Sequence, residues 1–205
     1  ACIVAGLLGA NALLGRPLTQ RQMLTLATAI EGHPDNVAPA MLGGFVSSVY
    51  DEGLVYTVKK DIDPDLAFAA FVPDFRLLTS KARAALPEMV SHKDAVYNLS
   101  RAALATAAFC DGDYGLLGVA TKDALHQRYR LPLIEGGEEV FELAQDLCAQ
   151  AVYISGAGPT IIAVVHKEDD DFFERARQAL PQNEKLRHFT LYRLLADNTG
   201  ATVQE

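Results

Sequence analysis

Cysteine is scarce in this chain. The three present, Cys2, Cys110 and Cys148, are far apart and odd in number, with no C-x-x-C spacing and no Cys/His ladder. That pattern excludes a structural zinc site or a disulfide framework and reads as reduced thiols in helix packing. Positive charge is also in short supply: 18 Lys and Arg stand against 26 Asp and Glu, a net charge of -8. With no basic patch to neutralise phosphates, neither nucleic acid nor an anionic membrane is expected as a partner. Any bound anion must meet individually placed Arg or Lys side chains or helix N-termini. No apolar run reaches the roughly 18 residues needed to span a bilayer. The opening "ACIVAGLLGANALLG" is interrupted by Gly and Asn and lacks a basic flank, so it reads as a helix, not a signal peptide. Internal repeats and low-complexity tracts are missing too.

What the 205 residues do contain, half of them apolar, suffices for one large domain or two small ones. Cys2 to Leu14 is Ala/Leu-rich and meets a stop at Gly15, and Thr19 with Gln22 forms a capping-box pattern opening a helix to about Ile30. "NVAPAMLGG" reads as a short buried helix ending on Gly43 and Gly44. "FVSSVY" and "LVYTVKK", separated by Asp51-Glu52-Gly53, read as a hairpin, and "AFAAFVPDF" as a further strand. Helices are expected over "TSKARAALP", capped by Thr79, over Ser91 to Asp111, over "YGLLGVATKDALHQRY", and from Glu138 to Ala149. "AVYISGAGPTIIAVV" is two β-rich runs joined by a Gly-rich bend; a helix from Asp169 to Leu180 and the strand "FTLYRLL" finish the chain. Irregular alternation with hairpin-like pairs favours α+β over a parallel doubly wound sheet.

Three constellations could carry chemistry. "EGHPDNVAPAMLGGF" crowds Glu31, His33, Asp35 and Asn36 ahead of an apolar run and a Gly pair. Pro34 turns the chain out of helical geometry at His33. Either these residues are a solvated helix end, with Asp35 or Asn36 capping the next helix, or they lie near the core and need partners that a ligand supplies. "SGAGPT", Ser155 to Thr160, is either a plain hairpin turn or a rigid bend whose N–H groups hold an anion; no Lys-Ser/Thr pair follows, so it is not a P-loop. Arg83 and Arg130 each sit beside a Pro-terminated element, as surface salt-bridge formers or as forks for a carboxylate. His126 reads as locally satisfied, and "EDDD" (Glu168 to Asp171) as acids complementing a helix N-terminus.

In order along the chain, "EGHPDNVAPAMLGGF", "ARAALP", "AVYNLSRAALATAA", "DALHQRYRLPLI" and "YISGAGPTIIAVV" resemble the homoserine kinases of the GHMP small-molecule kinase superfamily. The first block is specific, "SGAGPT" is shared more broadly, and together they cover nearly the whole chain. In that family a Gly- and Ser-rich ATP-phosphate loop runs into a helix similar to "ACIVAGLLGANALLG", so the chain is expected to be a large C-terminal part of such a kinase. The resemblance implies an α+β fold in two parts. Residues 1–50 would be the remainder of an ATP-binding domain like the ribosomal S5 second domain, and residues 51–205 a ferredoxin-like C-terminal domain, with the site in the cleft between them.

The implied reaction moves the ATP γ-phosphoryl to the hydroxyl of L-homoserine, in the cytoplasm, with ATP and Mg²⁺ as cofactors and a homodimer as the implied assembly. The helix start at Ala1 would face the nucleotide phosphates and Glu31 would hold Mg²⁺. His33, Asp35 and Asn36 would line the amino-acid pocket. There Asp35 would meet the ammonium, with a base role open to it, and Asn36 would orient the hydroxyl. Arg83 and Arg130 would clamp the carboxylate. Gly156 would pack its backbone on the substrate, and Gly43-Gly44 would let the sheet pass close beneath it. The alternatives are a GHMP kinase for another small alcohol, a non-catalytic amino-acid-binding module, or a purely structural protein.

Overall fold

The structure is a computed structural model describing residues 1–204. The chain forms two compact units, Ala1–Asp63 with Ala196–Glu205, and Pro64–Leu195. The sequence-based division at Tyr50 and Asp51 falls inside a paired hairpin, and the units part after that hairpin.

In the first unit, α1 (Cys2–Leu13) and α2 (Gln20–Glu31) are joined by a loop that Asn11 staples. Its buried amide donates to the Leu18 carbonyl at 3.0 Å and its oxygen accepts the Leu18 N–H at 2.9 Å. Helix α2 begins with the expected capping box, Thr19 and Gln22 each accepting the other's backbone N–H, and stops at Gly32 in the left-handed region. A short helix α3 (Val37–Leu42) leads into β1 (Phe45–Asp51), which pairs antiparallel with β2 (Leu54–Lys60) across Glu52-Gly53, both at positive φ. The core gathers Val4, Met23, Leu24, Ala27, Val37, Ala38, Met41 and Val55. The C-terminal segment returns to this unit. The Asn198 side chain exchanges two hydrogen bonds with the Ile62 backbone, and the Gly44 N–H donates to the Asp197 carbonyl.

The second unit carries β3 (Leu66–Pro73), a run of helices, then β4 (Ala151–Ile154) and β5 (Ile161–His166), and finally α9 (Asp170–Ala179) and β6 (Phe189–Leu195). The sheet order β4-β5-β3-β6 is antiparallel throughout, which is the split βαβ arrangement of a ferredoxin-like fold. Its core face packs Phe71, Ile154, Ile161 and Leu191 against Val140, Phe172, Phe173 and Ala176 of α8 (Gly137–Asp146) and α9. Burial of each large side chain there contributes about 1.5–3 kcal/mol.

Several expectations shift in detail. Helix α4 (Thr79–Ala84) starts from Leu78 with no side-chain cap, so Thr79 lies inside it. Helix α5 (His92–Asp111) is capped by Ser91, whose hydroxyl accepts the Asp94 N–H, and ends at Gly112. The single helix expected over "YGLLGVATKDALHQRY" is broken into a 3-10 turn at Tyr114–Leu116, α6 (Leu117–Ala120) and α7 (Gln127–Arg130). The break is chemical: Asp123 accepts the backbone N–H groups of Leu125, His126 and Gln127, and Asn98 accepts that of Ala124. All three cysteines are free and exposed, so none packs between helices. On α5 it is Ala108, not Cys110, that turns inward.

Candidate functional site

The polar turn of the first unit follows directly from how α2 ends. Gly32, at φ 94°, donates its N–H to the Thr28 carbonyl at 2.7 Å, and the chain then reverses through His33-Pro34-Asp35 into α3. Val37, Ala38 and Met41 anchor α3 in the core, while Glu31, Asp35 and Asn36 are exposed and His33 is half-buried. The apolar neighbours therefore hold the turn near the surface, where burial demands no partner for Glu31, Asp35 or Asn36, although the His33 Nδ1 atom is buried. Capping does not explain Asn36 either. It is the N-cap of α3, yet its side chain makes no capping bond. His33 Nδ1 pairs with Asp35 Oδ1, which fixes two of the four side chains relative to each other.

Gly43 and Gly44 serve packing, not a substrate. A Cβ on Gly43 would lie 2.5 Å from the Gly200 nitrogen, and one on Gly44 2.6 Å from the Lys60 carbonyl oxygen. The close approach that needs glycine is made by the chain's own C-terminal segment and by β2.

In the second unit Arg130 meets Gly156 and the backbone beside Arg83, whose own side chain is exposed on α4. Arg130, on α7, donates from Nη1 to the Gly156 carbonyl at 3.0 Å and from Nε to the Ala82 carbonyl at 3.3 Å, and Ala82 immediately precedes Arg83 on α4. Neither arginine forms an ion pair with a carboxylate among the described residues, so the surface salt-bridge alternative does not describe them. Gly156 sits at φ 57° with open space where a Cβ would point. The "SGAGPT" bend is also a hairpin connection. Ser155 N–H bonds the Thr160 carbonyl at 2.9 Å, Ile154 pairs with Ile161, and the Gly158-Pro159 peptide is cis.

Beneath Arg130 lies a network that sequence reasoning left without a role. The Asp123 side chain is 6% exposed and accepts from the Asn98 amide at 2.5 Å as well as from three backbone N–H groups. Burial pushes its carboxyl up. The Asn98 amide, the Gln127 and His126 N–H groups and the nearby His126 ring together outweigh that and hold it below the usual carboxylate range. Burial holds His126 below the ordinary histidine value. Asp123 opposes that shift and the Arg130 charge adds to it. His126 Nε2 lies 3.7 Å from Asp123 Oδ1, and its Nδ1 is buried without a partner among the described residues. The signal available in sequence was D-x-x-H-Q, a capping carboxylate ahead of two N–H groups.

No cluster of three or more His, Cys, Asp or Glu side chains suited to a metal ion occurs among the described residues, which leaves Glu31 as a single exposed carboxylate at the end of α2. At the start of α1, Ala1 is the N-cap, and no acidic side chain occupies the first turn. Among the described residues no helix is long and apolar enough to cross a membrane.

Comparison with known proteins bears on both units. The family described as GHMP kinases N terminal domain matches residues 1–44, and that described as GHMP kinases C terminal matches residues 105–183. A homoserine kinase of Clostridium beijerinckii is 47% identical over 204 residues, covering 100% of this chain and 68% of that protein. One of Caldicellulosiruptor saccharolyticus is 44% identical over 203 residues, covering 99% and 66%. The crystal structure of homoserine kinase from Cytophaga hutchinsonii superposes with a TM-score of 0.82 at 27% identity, over 95% of this chain and 62% of that one. L. major mevalonate kinase, in complex with R-mevalonate, shares the fold at a TM-score of 0.68 and 18% identity, over 97% and 65%. The chain thus spans about two thirds of the length of the curated relatives it matches.

Proposed function

The chain belongs to the homoserine kinase family of the GHMP kinases, and from that premise we propose that the protein containing it moves the γ-phosphoryl of ATP onto the side-chain hydroxyl of L-homoserine. The hydroxyl oxygen bonds to the γ-phosphorus, the bond to the bridging oxygen breaks, and ADP and O-phospho-L-homoserine leave with loss of the hydroxyl proton. Such a transfer asks for positioning and charge stabilisation more than for covalent help. We assign the product to threonine synthesis and the reaction to the cytoplasm.

The observation that carries the substrate assignment is the state of Arg130. Its guanidinium rests on two neutral carbonyls, one of them that of the residue preceding Arg83, and no carboxylate among the described residues pairs with it. A substrate carboxylate supplies the missing charge and can accept two parallel bonds from the guanidinium fork, which a single carbonyl cannot. Asp35, held by His33, takes the ammonium. Asn36, whose side chain caps nothing, is left to orient the hydroxyl. The Asp35 carboxylate is also the candidate to accept the hydroxyl proton. Gly156 contributes backbone, its carbonyl already fixed by Arg130.

Glu31 fits Mg²⁺ as one oxygen ligand, since that ion takes one or two carboxylates beside phosphate oxygens, and the ion supplies neutralisation of the phosphate charge when bound. The N-terminus of α1, twelve residues long and free of first-turn acids, fits the phosphates of ATP by its unpaired N–H groups. The assay is ADP release by the full-length protein with L-homoserine, mevalonate and simple sugars compared side by side. Turnover with homoserine alone is the expected result. Preference for an alcohol lacking a carboxylate would overturn the assignment in favour of another GHMP activity, and homoserine binding with no turnover would leave a binding module.

A further inference from the structure

Beside Asp123, the second unit holds a neutral polar side chain that is almost fully buried, satisfied at both ends, and not used by the reaction as described. Gln127 is 9% exposed. Its amide nitrogen donates to the Thr121 carbonyl at 3.0 Å and its amide oxygen accepts the Ile154 N–H at 2.8 Å. Thr121 closes α6 and Ile154 is the last residue of β4, so one side chain ties the end of α6, the start of α7 and the strand that feeds the Ser155–Thr160 bend.

Arg130 lies three residues further along the same single turn of helix and reaches the same bend, at Gly156. Two bridges therefore join α7 to the β4 end. The inner one, from Gln127 to Ile154, is buried and neutral. The outer one, from Arg130 to Gly156, is solvent-accessible and made by a cation that a carboxylate would draw away. When Arg130 turns to a carboxylate the outer bridge weakens, and only the inner one continues to set the distance between α7 and the bend. A buried amide suits that task, because leaving the Ile154 N–H or the Thr121 carbonyl unpaired carries the full desolvation cost in a low-dielectric setting. Asp123 supports the same turn at its N-terminal end by accepting the Gln127 and His126 N–H groups.

We propose that Gln127 is a positioning residue for the amino-acid carboxylate: it holds α7 against the β4–β5 bend so that the Arg130 guanidinium meets the carboxylate at a fixed place. The proposal rests on the assignment of Arg130 as a carboxylate clamp. A displacement of about an ångström at a binding group costs up to about a hundredfold. Loss of the pin therefore raises the KM for L-homoserine on the order of tenfold, while the KM for ATP stays at its original value.

The test uses the full-length protein with Gln127→Met, Gln127→Glu and, in parallel, Arg130→Ala. Gln127→Met removes donor and acceptor together. Gln127→Glu keeps the acceptor for Ile154 and loses the donor to Thr121 until the introduced carboxyl is protonated, so its homoserine KM, relative to the unsubstituted protein, recovers as pH is lowered. A merely structural role would lower the melting temperature without that pH-linked recovery and without separating the two KM values. The proposal stands if both Gln127 variants raise the homoserine KM selectively and Gln127→Glu recovers at low pH. It is overturned if Arg130→Ala raises that KM while both Gln127 variants leave it unchanged, or move both KM values equally. If Arg130→Ala itself leaves the homoserine KM unchanged, the clamp reading fails, a result distinct from failure of the pin alone. Should Gln127→Met not fold, Gln127→Glu decides the matter.

Discussion

The Arg130 guanidinium donates to the Gly156 carbonyl across 3.0 Å, joining two segments twenty-six residues apart in sequence and closing α7 onto the bend between β4 and β5. Its second bond, to the Ala82 carbonyl, brings in α4 and the position just before Arg83. Three residues read from sequence as substrate ligands are thus joined by hydrogen bonds or chain adjacency within one unit, and the acceptors at hand are neutral. A cation in that state is poised for exchange with an anion, because it already has its direction but lacks a counter-charge.

The first prediction follows from that exchange. Arg130→Ala raises the KM for L-homoserine roughly 10- to 100-fold and leaves the KM for ATP nearly unchanged, and Arg83→Ala acts in the same direction. Arg130→Lys does not restore the original value, since an ammonium cannot reproduce the planar fork that meets a carboxylate with two parallel bonds. Steady-state kinetics with each substrate varied in turn decides it; an equal rise in both KM values removes the clamp assignment.

Asn36 gives a second prediction. Its side chain does not cap α3, so replacing it removes no helix-stabilising bond. Asn36→Leu accordingly lowers kcat by roughly tenfold or more while shifting the melting temperature little and the homoserine KM less than kcat. Unchanged turnover would show that this amide does not orient the hydroxyl.

Acid stability is the third. His126 in the folded state lies below its ordinary value of 6.5, chiefly through burial. The unfolded chain therefore binds more protons as pH drops through 6.5, and stability falls from there down to the lowered folded value. Asp123 also lies below its ordinary value of 3.8, its hydrogen bonds outweighing burial, so its contribution is present above 3.8 and is lost as pH falls further. Melting temperature against pH should decline in two stages. His126→Asn flattens the stage beginning near 6.5, and Asp123→Asn flattens the one below 3.8 while lowering stability at pH 7 by about 1–3 kcal/mol. A profile unaltered by His126→Asn would show that this ring does not govern the first stage.

Much of this fold is written in local chemistry. The Thr19–Gln22 capping box, the break at Asp111-Gly112 and the hairpin across Asp51-Glu52-Gly53 all follow from side chains a few residues apart, and each appears where the pattern places it. The broken helix after Tyr114 does not follow in this way. What interrupts it is Asn98, on another helix, and the three N–H groups drawn to a buried Asp123, and neither is visible in a helical periodicity. The candidate site divides along the same line. The candidate residue types and their order could be read from the chain, but the bond between Arg130 and the glycine bend could not. Nor could the role of Gln127, because a lone glutamine declares nothing until the strand it bonds is folded beside it. The meaning of Gly43-Gly44 was hidden for the same reason: the segment that presses on them comes from the far end of the chain.

That last contact yields a stability prediction with an internal control. Gly43 lies at φ 72°, and a Cβ there would sit 2.5 Å from the Gly200 nitrogen and 2.7 Å from the Asn198 carbonyl carbon, both backbone atoms that cannot swing aside. Gly200, at φ 76°, faces the same conflict with Leu42 and Gly43 in return. Gly15 has a similar φ of 80° but open space where a side chain would go. Gly15→Ala therefore carries only the left-handed backbone penalty, about 1–2 kcal/mol. Gly43→Ala adds displacement of the returning C-terminal segment, with loss of the Asp197–Gly44 bond, for about 3–5 kcal/mol in all. Denaturant midpoints measured on the two variants separate the terms. Equal losses at Gly15 and Gly43 would mean that residues 198–200 do not press on the Gly pair in solution, and the packing role assigned to those glycines would go with them.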